Sequence, residues 1–209
     1  MSEVKIGRIT LGQYMTNCYF LYREGSSDTI IIDPADSGAY LYDKLKEKGF
    51  EIKAILLTHG HFDHIFGVED IVKKAGVKVY AAKAEEALLS DSSLNVSAGV
   101  GRPVTVHPDV FLNDGEELNL CDIDIKVIFT PGHTAGSCCF YIEEAGFLIA
   151  GDTLFEGSVG RTDLPTGSTR IMMDSIKDKL MALPDDTKVY PGHGGSTTIG
   201  FERVNNPFL

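Results

Sequence analysis

Residues 58–64, Thr-His-Gly-His-Phe-Asp-His, concentrate three of the chain's six histidines within six positions. Imidazole nitrogen and carboxylate oxygen suit cations such as Zn²⁺, Fe or Mn rather than a thiolate-seeking metal. In extended backbone, residues two apart project to the same side. His59 and His61 are therefore expected to reach one ion together, with Gly60 easing the turn between them. Asp63 and His64 diverge from that pair and suit a second ion beside the first. A merely polar loop rarely gathers histidine in this way.

Three further residues share one context, the end of an apolar run beside a glycine. They are His133 in Thr-Pro-Gly-His-Thr, Asp152 in Gly-Asp-Thr-Leu-Phe and His193 in Pro-Gly-His-Gly. Alone, each reads more readily as a structural turn residue than as a ligand. Combined with the first cluster, they give His59, His61 and His133 to one ion and Asp63, His64 and His193 to another. Asp152 is placed to bridge the two. Three or four ligands per ion leave positions open for water and substrate, as catalytic sites do. The expected cofactors are two divalent ions, zinc first, with iron or manganese as alternatives. Asp33, after the run 29–32, is either a turn aspartate or a carboxylate that orients a histidine. His107, followed by Pro108, has no partner motif.

The elements around these residues alternate. Apolar runs at 4–11, 18–22, 29–32 and 53–57 read as strands, and 77–80 as a short one. A helix is expected from a Ser37 cap to Lys48, another over 68–75 stopped by Gly76, and a third over 84–89. The Ser/Asn/Gly-rich stretch 90–101 reads as a long loop bordering the site. Strands at 118–120, 123–129, 137–142 and 147–150 follow, then a helix over 171–183 and a last strand at 189–190. Strand-end loops in such a layered α/β fold share one rim, where ligands bind. The whole chain, 1–209, is read as one domain of two halves joined near 90–103.

Composition narrows the function. A net charge of −11 repels phosphate backbones, so nucleic acid is not an expected partner. Cys18, Cys121, Cys138 and Cys139 form neither a C-x-x-C pair nor a disulfide framework and read as reduced thiols. Residues 1–11 lack the apolar core of a signal peptide, and no run approaches membrane-spanning length. A cytoplasmic protein acting on a small molecule is expected. No repeat or low-complexity segment interrupts the chain.

The four motifs, in this order and spacing, resemble the metallo-β-lactamase superfamily over essentially the whole length. The resemblance implies an αββα sandwich of two mixed β-sheets flanked by helices, with metal at one edge. It implies the same ligand set and an orienting place for Asp33. Within the superfamily the sequence is most similar to short bacterial glyoxalase II-type hydroxyacylglutathione hydrolases. His61, Asp152, Gly160-Arg161-Thr162-Asp163 and the closing Asn-Pro-Phe-Leu carry that likeness. The implied activity is hydrolysis of a small thioester by a metal-bridging hydroxide, with Asp63 moving a proton. Arg161 is the candidate contact for a substrate carboxylate, or else an ion-pair partner of Asp163. Longer glyoxalase II enzymes add a basic helical domain, whereas 16 residues with one basic side chain, Arg203, follow His193 here. This departure counts against glutathione itself as the carrier. An iron-dependent persulfide dioxygenase and a lactamase- or lactonase-type hydrolase of the same superfamily are the alternatives.

Overall fold

Side-chain alternation along strands buried on both faces assigns each residue to one of three cores. In the computed structural model, which describes residues 2–209, the first sheet has the order β1-β2-β3-β4-β5-β6. These strands are β1 (Val4–Leu11), β2 (Thr16–Arg23), β3 (Asp28–Ile32), β4 (Glu51–Leu56), β5 (Lys78–Ala82) and β6 (Val110–Leu112). The first three pair antiparallel, and β3 through β6 run parallel. Parallel neighbours need crossovers. Helix α1 (Gly38–Glu47) supplies one, and α2 (Phe62–Ile65) with α3 (Val68–Ala75) the next. The short α4 (Glu86–Leu89) follows β5.

The second sheet contains β7 (Glu117–Leu120), β8 (Ile123–Phe129), β9 (Cys138–Ile142), β10 (Phe147–Gly151), β13 (Lys188–Pro191) and β14 (Thr197–Thr198), in the order β14-β13-β10-β9-β8-β7. A small hairpin, β11 (Leu154–Phe155) and β12 (Ser158–Val159), stands apart from it. Helices α5 (Thr169–Ser175) and α6 (Ile199–Asn205) cover its outer face.

The layers run helix, sheet, sheet, helix, as the resemblance implied. Cys18, Phe20, Ile31 and Ile55 face α1 and α3, packing with Leu41, Leu45 and Ile71. Their neighbours Tyr19, Leu21, Ile30, Ile32 and Leu56 face inward, against Ile125, Val127, Phe140 and Ile149 of the second sheet. Met172, Ile176, Leu180 and Ile199 seal the far side. Each fully buried Leu or Ile is worth roughly 1.5–3 kcal/mol. Cys138 and Cys139 turn to opposite sides, as adjacent strand residues must.

Several boundaries differ from the sequence reading. Ser37 does not cap α1; it sits in the left-handed region (φ 54°), and its N–H donates to Asp36 at 2.5 Å. The 84–89 helix opens with a 3₁₀ turn over Lys83–Glu85. The last long helix begins at Thr169, capped by the Ser168 hydroxyl, and widens to π-type turns over Ile176–Leu180. Because β6 belongs to the first sheet, the passage between sheets falls at residues 113–116 rather than 90–103. The 90–101 loop does border the histidine segment, for the Phe62 N–H donates to the Asn95 carbonyl at 3.1 Å. Among the described residues, no helix is long and apolar enough to cross a membrane.

Strand direction positions the site. β3 and β4 run one way together, and β8, β10 and β13 share a direction in the second sheet. The two sheets are tied at this rim: the Cys138 N–H donates to Thr58 O (2.9 Å) and the Asn17 N–H to Gly192 O (2.7 Å). Asp33, the 58–64 segment, His133, Asp152 and His193 therefore emerge on one edge.

Candidate metal centre

One hydrogen-bond chain orients the first histidines. Asp33 accepts from the Thr58 N–H at 2.8 Å and from the Thr58 hydroxyl at 2.6 Å. The Thr58 hydroxyl, having given its only proton to Asp33, must accept at its 3.1 Å contact with His59 Nδ1. His64 Nδ1 lies 2.9 Å from the same Asp33 oxygen and donates to it. Asp33 itself holds φ 50°, a left-handed conformation that aspartate tolerates better than most residues.

The others are fixed the same way. His133 Nδ1 donates to the Arg161 carbonyl at 2.7 Å, and His193 Nδ1 to the Tyr14 carbonyl at 3.1 Å. With Nδ1 committed on His59, His64, His133 and His193, each turns Nε2 into a common space. There His193 Nε2 lies 3.2 Å from Asp63 and 3.4 Å from Asp152. His64 Nε2 lies 3.4 Å from Asp152, His133 Nε2 3.7 Å from Asp152, and His61 Nδ1 2.8 Å from His133 Nε2. Asp63 also accepts from the Thr16 hydroxyl at 2.8 Å.

Four buried polar atoms here have no hydrogen-bond partner: Nε2 of His59, His61 and His64, and Asp152 Oδ1. Buried polar atoms are seldom left unpaired, and unpaired lone pairs on clustered nitrogen and oxygen atoms suit a cation. His59, His61 and His133 form one group whose ligand atoms lie within 4.8 Å of one another; Asp63, His64 and His193 form a second. Asp33, His59 and His64 also cluster. The Asp33 oxygens are already occupied by Thr58 and His64, which gives this carboxylate an orienting role.

Electrostatics agree with this division. Burial, then the surrounding imidazoles, push His59 far below its usual value and His61 down to about 3. Burial lowers His133 as well. These rings are neutral at pH 7, the form that binds metal. Around the second group, burial works against charge, but Asp63, Asp152 and Asp33 outweigh it and raise His64 well above the ordinary value. Asp152 and Asp63 likewise overcome burial to bring His193 to about 9. In return, His64 and His193 hold Asp63 and Asp152 low against the effect of burial.

The structure thus brings together all seven residues singled out as ligands. For Arg161 the structure shows the second of the two expected uses, the ion pair with Asp163. Its guanidinium lies outside, bidentate on exposed Asp163 at 2.7 and 2.8 Å, while its carbonyl orients His133.

Glu85 escaped the sequence reading. It is 1% exposed, and its carboxylate accepts from the Gly60 N–H (2.8 Å), the Thr134 hydroxyl (2.7 Å) and the Gly136 N–H (2.7 Å). It fastens the His59–His61 loop to the His133 loop from below. Burial raises its pKa against these hydrogen bonds. In sequence it is one of two consecutive glutamates in a polar stretch, and nothing local marks it. Gly60 is needed for room rather than for a turn: a Cβ there would lie 2.6 Å from Leu88. At Gly192 a Cβ would overlap Asp152 Oδ1 and sit 2.7 Å from the His64 ring.

A family model described as the metallo-beta-lactamase superfamily matches residues 11–193. The probable metallo-hydrolase YqgX of Bacillus subtilis is 40% identical over 99% of this chain and 98% of its own. Hydroxyacylglutathione hydrolase GloC of Haemophilus influenzae is 33% identical over 96% of each chain. The crystal structure of BLEG-1 B3 metallo-beta-lactamase matches with a TM-score of 0.93 at 38% identity, covering 98% of this chain and 99% of that one. TTHA1623, crystallised in a di-iron-bound form, matches at 0.87 and 35% identity, covering 97% and 100%. By family model, relatives and architecture alike, the chain belongs to the metallo-β-lactamase superfamily.

Proposed function

We propose that this protein is a binuclear metallohydrolase that cleaves a small thioester of the hydroxyacylglutathione type. The observation that carries the reading is the pair of adjoining ligand groups, within which Nε2 of His59, His61 and His64, and Oδ1 of the neighbouring Asp152, have no hydrogen-bond partner among the described residues. His59, His61 and His133 would hold one divalent ion and Asp63, His64 and His193 the other, with Asp152 reaching both. Zinc suits this nitrogen and oxygen set, and the di-iron form of TTHA1623 makes iron the rival. When bound, two such ions lower the pKa of a shared water towards neutrality and polarise a carbonyl oxygen.

The chain's own residues supply orientation and proton movement. Asp33, Thr58 and the carbonyls of Tyr14 and Arg161 fix the imidazole tautomers. Asp63 is the general base of this reading. It is held anionic by His64 and His193, and only one of its oxygens receives a protein hydrogen bond among the described residues. Covalent catalysis by cysteine is disfavoured, since burial pushes Cys121 and Cys139 up to about 11 and raises Cys18 and Cys138 well above the ordinary thiol value. The Arg161 guanidinium offers a substrate carboxylate a contact if Asp163 yields; exposed pairs of this kind are weak.

GloC, matched over 96% of its own length, bears the hydroxyacylglutathione hydrolase name at this chain size. That supports glutathione as carrier without an added helical domain. The likeness to a B3 lactamase keeps lactam hydrolysis as the second reading. Elemental analysis separates them alongside anaerobic assays on S-lactoylglutathione and a chromogenic cephalosporin and an aerobic oxygen-uptake assay on glutathione persulfide. Two ions per chain with thioester turnover is expected. Cephalosporin turnover alone would select the second reading, and a single iron with oxygen consumption would replace hydrolysis by dioxygenation.

A further inference from the structure

Beside the metal centre, a narrow crevice runs between Tyr14, Thr16, Asp36, Asp63 and Phe66. It continues into an open groove of about 210 Å³ lined by Gln13, Tyr14, Asp36, Phe66, Val100 and Arg102. Asp36 is one residue from Ala35, whose N–H donates to the His64 carbonyl at 3.1 Å. Phe66 follows His64 by two residues, at the end of α2. The groove is therefore built on the same turn that carries Asp63 and His64.

Arg102 closes it. Its guanidinium lies 4.0 Å above the Phe66 ring and donates through Nη1 to Asp36 Oδ1 at 2.8 Å. The ring holds the cation in place by its quadrupole. Among the described residues, Nε and Nη2 of Arg102 meet no protein acceptor. That leaves the edge of the guanidinium that binds a carboxylate bidentately. Asp36 is half open in the same sense. Oδ1 accepts from Arg102 and from the Ser37 N–H, while Oδ2 accepts no hydrogen bond among the described residues. A cation and an anion thus stand side by side, each with one unused face, over an aromatic ring.

We infer that this pair receives an α-amino-acid zwitterion, carboxylate on Arg102 and ammonium on Asp36, at the far end of the substrate's thiol carrier. The inference rests on the thioester reading for its substrate and adds a specificity site to it. The γ-glutamyl end of glutathione has this chemistry; a simple acyl thioester does not. Neither Arg161 nor a basic appended domain is then required to recognise the carrier.

The test uses metal-loaded enzyme, wild type and Arg102→Ala, with two substrates sharing one scissile bond: S-lactoylglutathione and S-lactoyl-N-acetylcysteamine, which lacks the zwitterion. Calorimetric binding of S-methylglutathione, which is not hydrolysed, runs in parallel. Wild type is expected to show a lower KM for the glutathione thioester, and Arg102→Ala to erase that advantage by about tenfold to hundredfold. S-methylglutathione should weaken by the same factor, and Asp36→Asn should act in the same direction. Arg102→Ala binding S-methylglutathione as tightly as wild type would overturn the inference, as would wild type binding none. Should wild type hydrolyse neither thioester while Arg102→Ala still weakens S-methylglutathione, the thioester reading falls and the zwitterion site stands.

Discussion

Asp33→Asn isolates the orienting chain from the ligands it serves. Asparagine keeps the size of the side chain and tolerates the left-handed backbone at φ 50°. It replaces one acceptor oxygen by a donor. If its remaining oxygen stays on the Thr58 N–H, its amide group faces the Thr58 hydroxyl and His64 Nδ1. His64 must then accept at Nδ1 and carry its proton on Nε2, the atom aimed at Asp152 and Asp63. The opposite flip sets the amide against the Thr58 N–H, 2.8 Å from the present oxygen. The flipped arrangement leaves a buried donor facing a donor, at about 1–3 kcal/mol, and the first turns the His64 proton towards the atoms that would hold the ion. Loss of such a partner typically weakens a metal about 10–100-fold, or roughly 1.4–2.8 kcal/mol at 1.4 kcal/mol per decade. Competitive zinc titration against a chromophoric chelator reads it. The ion assigned to Asp63, His64 and His193 should lose most affinity, and circular dichroism should report an intact fold. Equal affinity for both ions in mutant and wild type would show that Asp33 does not set the tautomers.

Glu85→Gln should destabilise the protein by about 1–3 kcal/mol, because one of three buried donors loses its acceptor. Its metal loss should fall on the His59, His61 and His133 group, opposite to Asp33→Asn, in the same chelator titration. Gly192→Ala should lower metal stoichiometry while leaving the fold intact, since its methyl occupies space held by Asp152 and His64; full occupancy by elemental analysis would contradict this. The metal-free protein should also depend on pH with a defined sign. His193, raised to about 9, and His64, also raised, are protonated when folded, so their contribution is complete below the unfolded value near 6.5 and fades as pH rises through the folded values, about 9 for His193. His61 at about 3 acts oppositely, costing stability as pH falls from 6.5 towards 3. Denaturant midpoints of apo protein from pH 5 to 9.5 check both limbs. Metal uptake at pH 7.5 should release about two protons, measurable as buffer-dependent heat.

The residues of the candidate ligand cluster were legible in the sequence because metal chemistry restricts residue type, and because strand ends announce themselves through apolar runs closing on glycine or proline. His59, His61 and His64 sit in one motif, while His133, Asp152 and His193 needed the inference of a shared rim. Asp33 was visible only as one of two readings. What decides it is the contact with Thr58 and His64, set by parallel pairing of β3 with β4. Glu85 was invisible, since its partners Gly60, Thr134 and Gly136 lie far along the chain and only the fold brings them together. Ser37 misled because a serine before a helix usually caps it, whereas here the approach of Gly38 to Gly67 constrains the backbone. Arg161 was read for its side chain, yet its carbonyl reaches His133, a role that residue type cannot reveal.

The central claim is that two cations share this rim. Anomalous diffraction from crystals of zinc-loaded protein tests it most directly. Two peaks are predicted, one against His59, His61 and His133 and the other against Asp63, His64 and His193, with Asp152 touching both. A single peak, or density elsewhere on the molecule, would contradict the account.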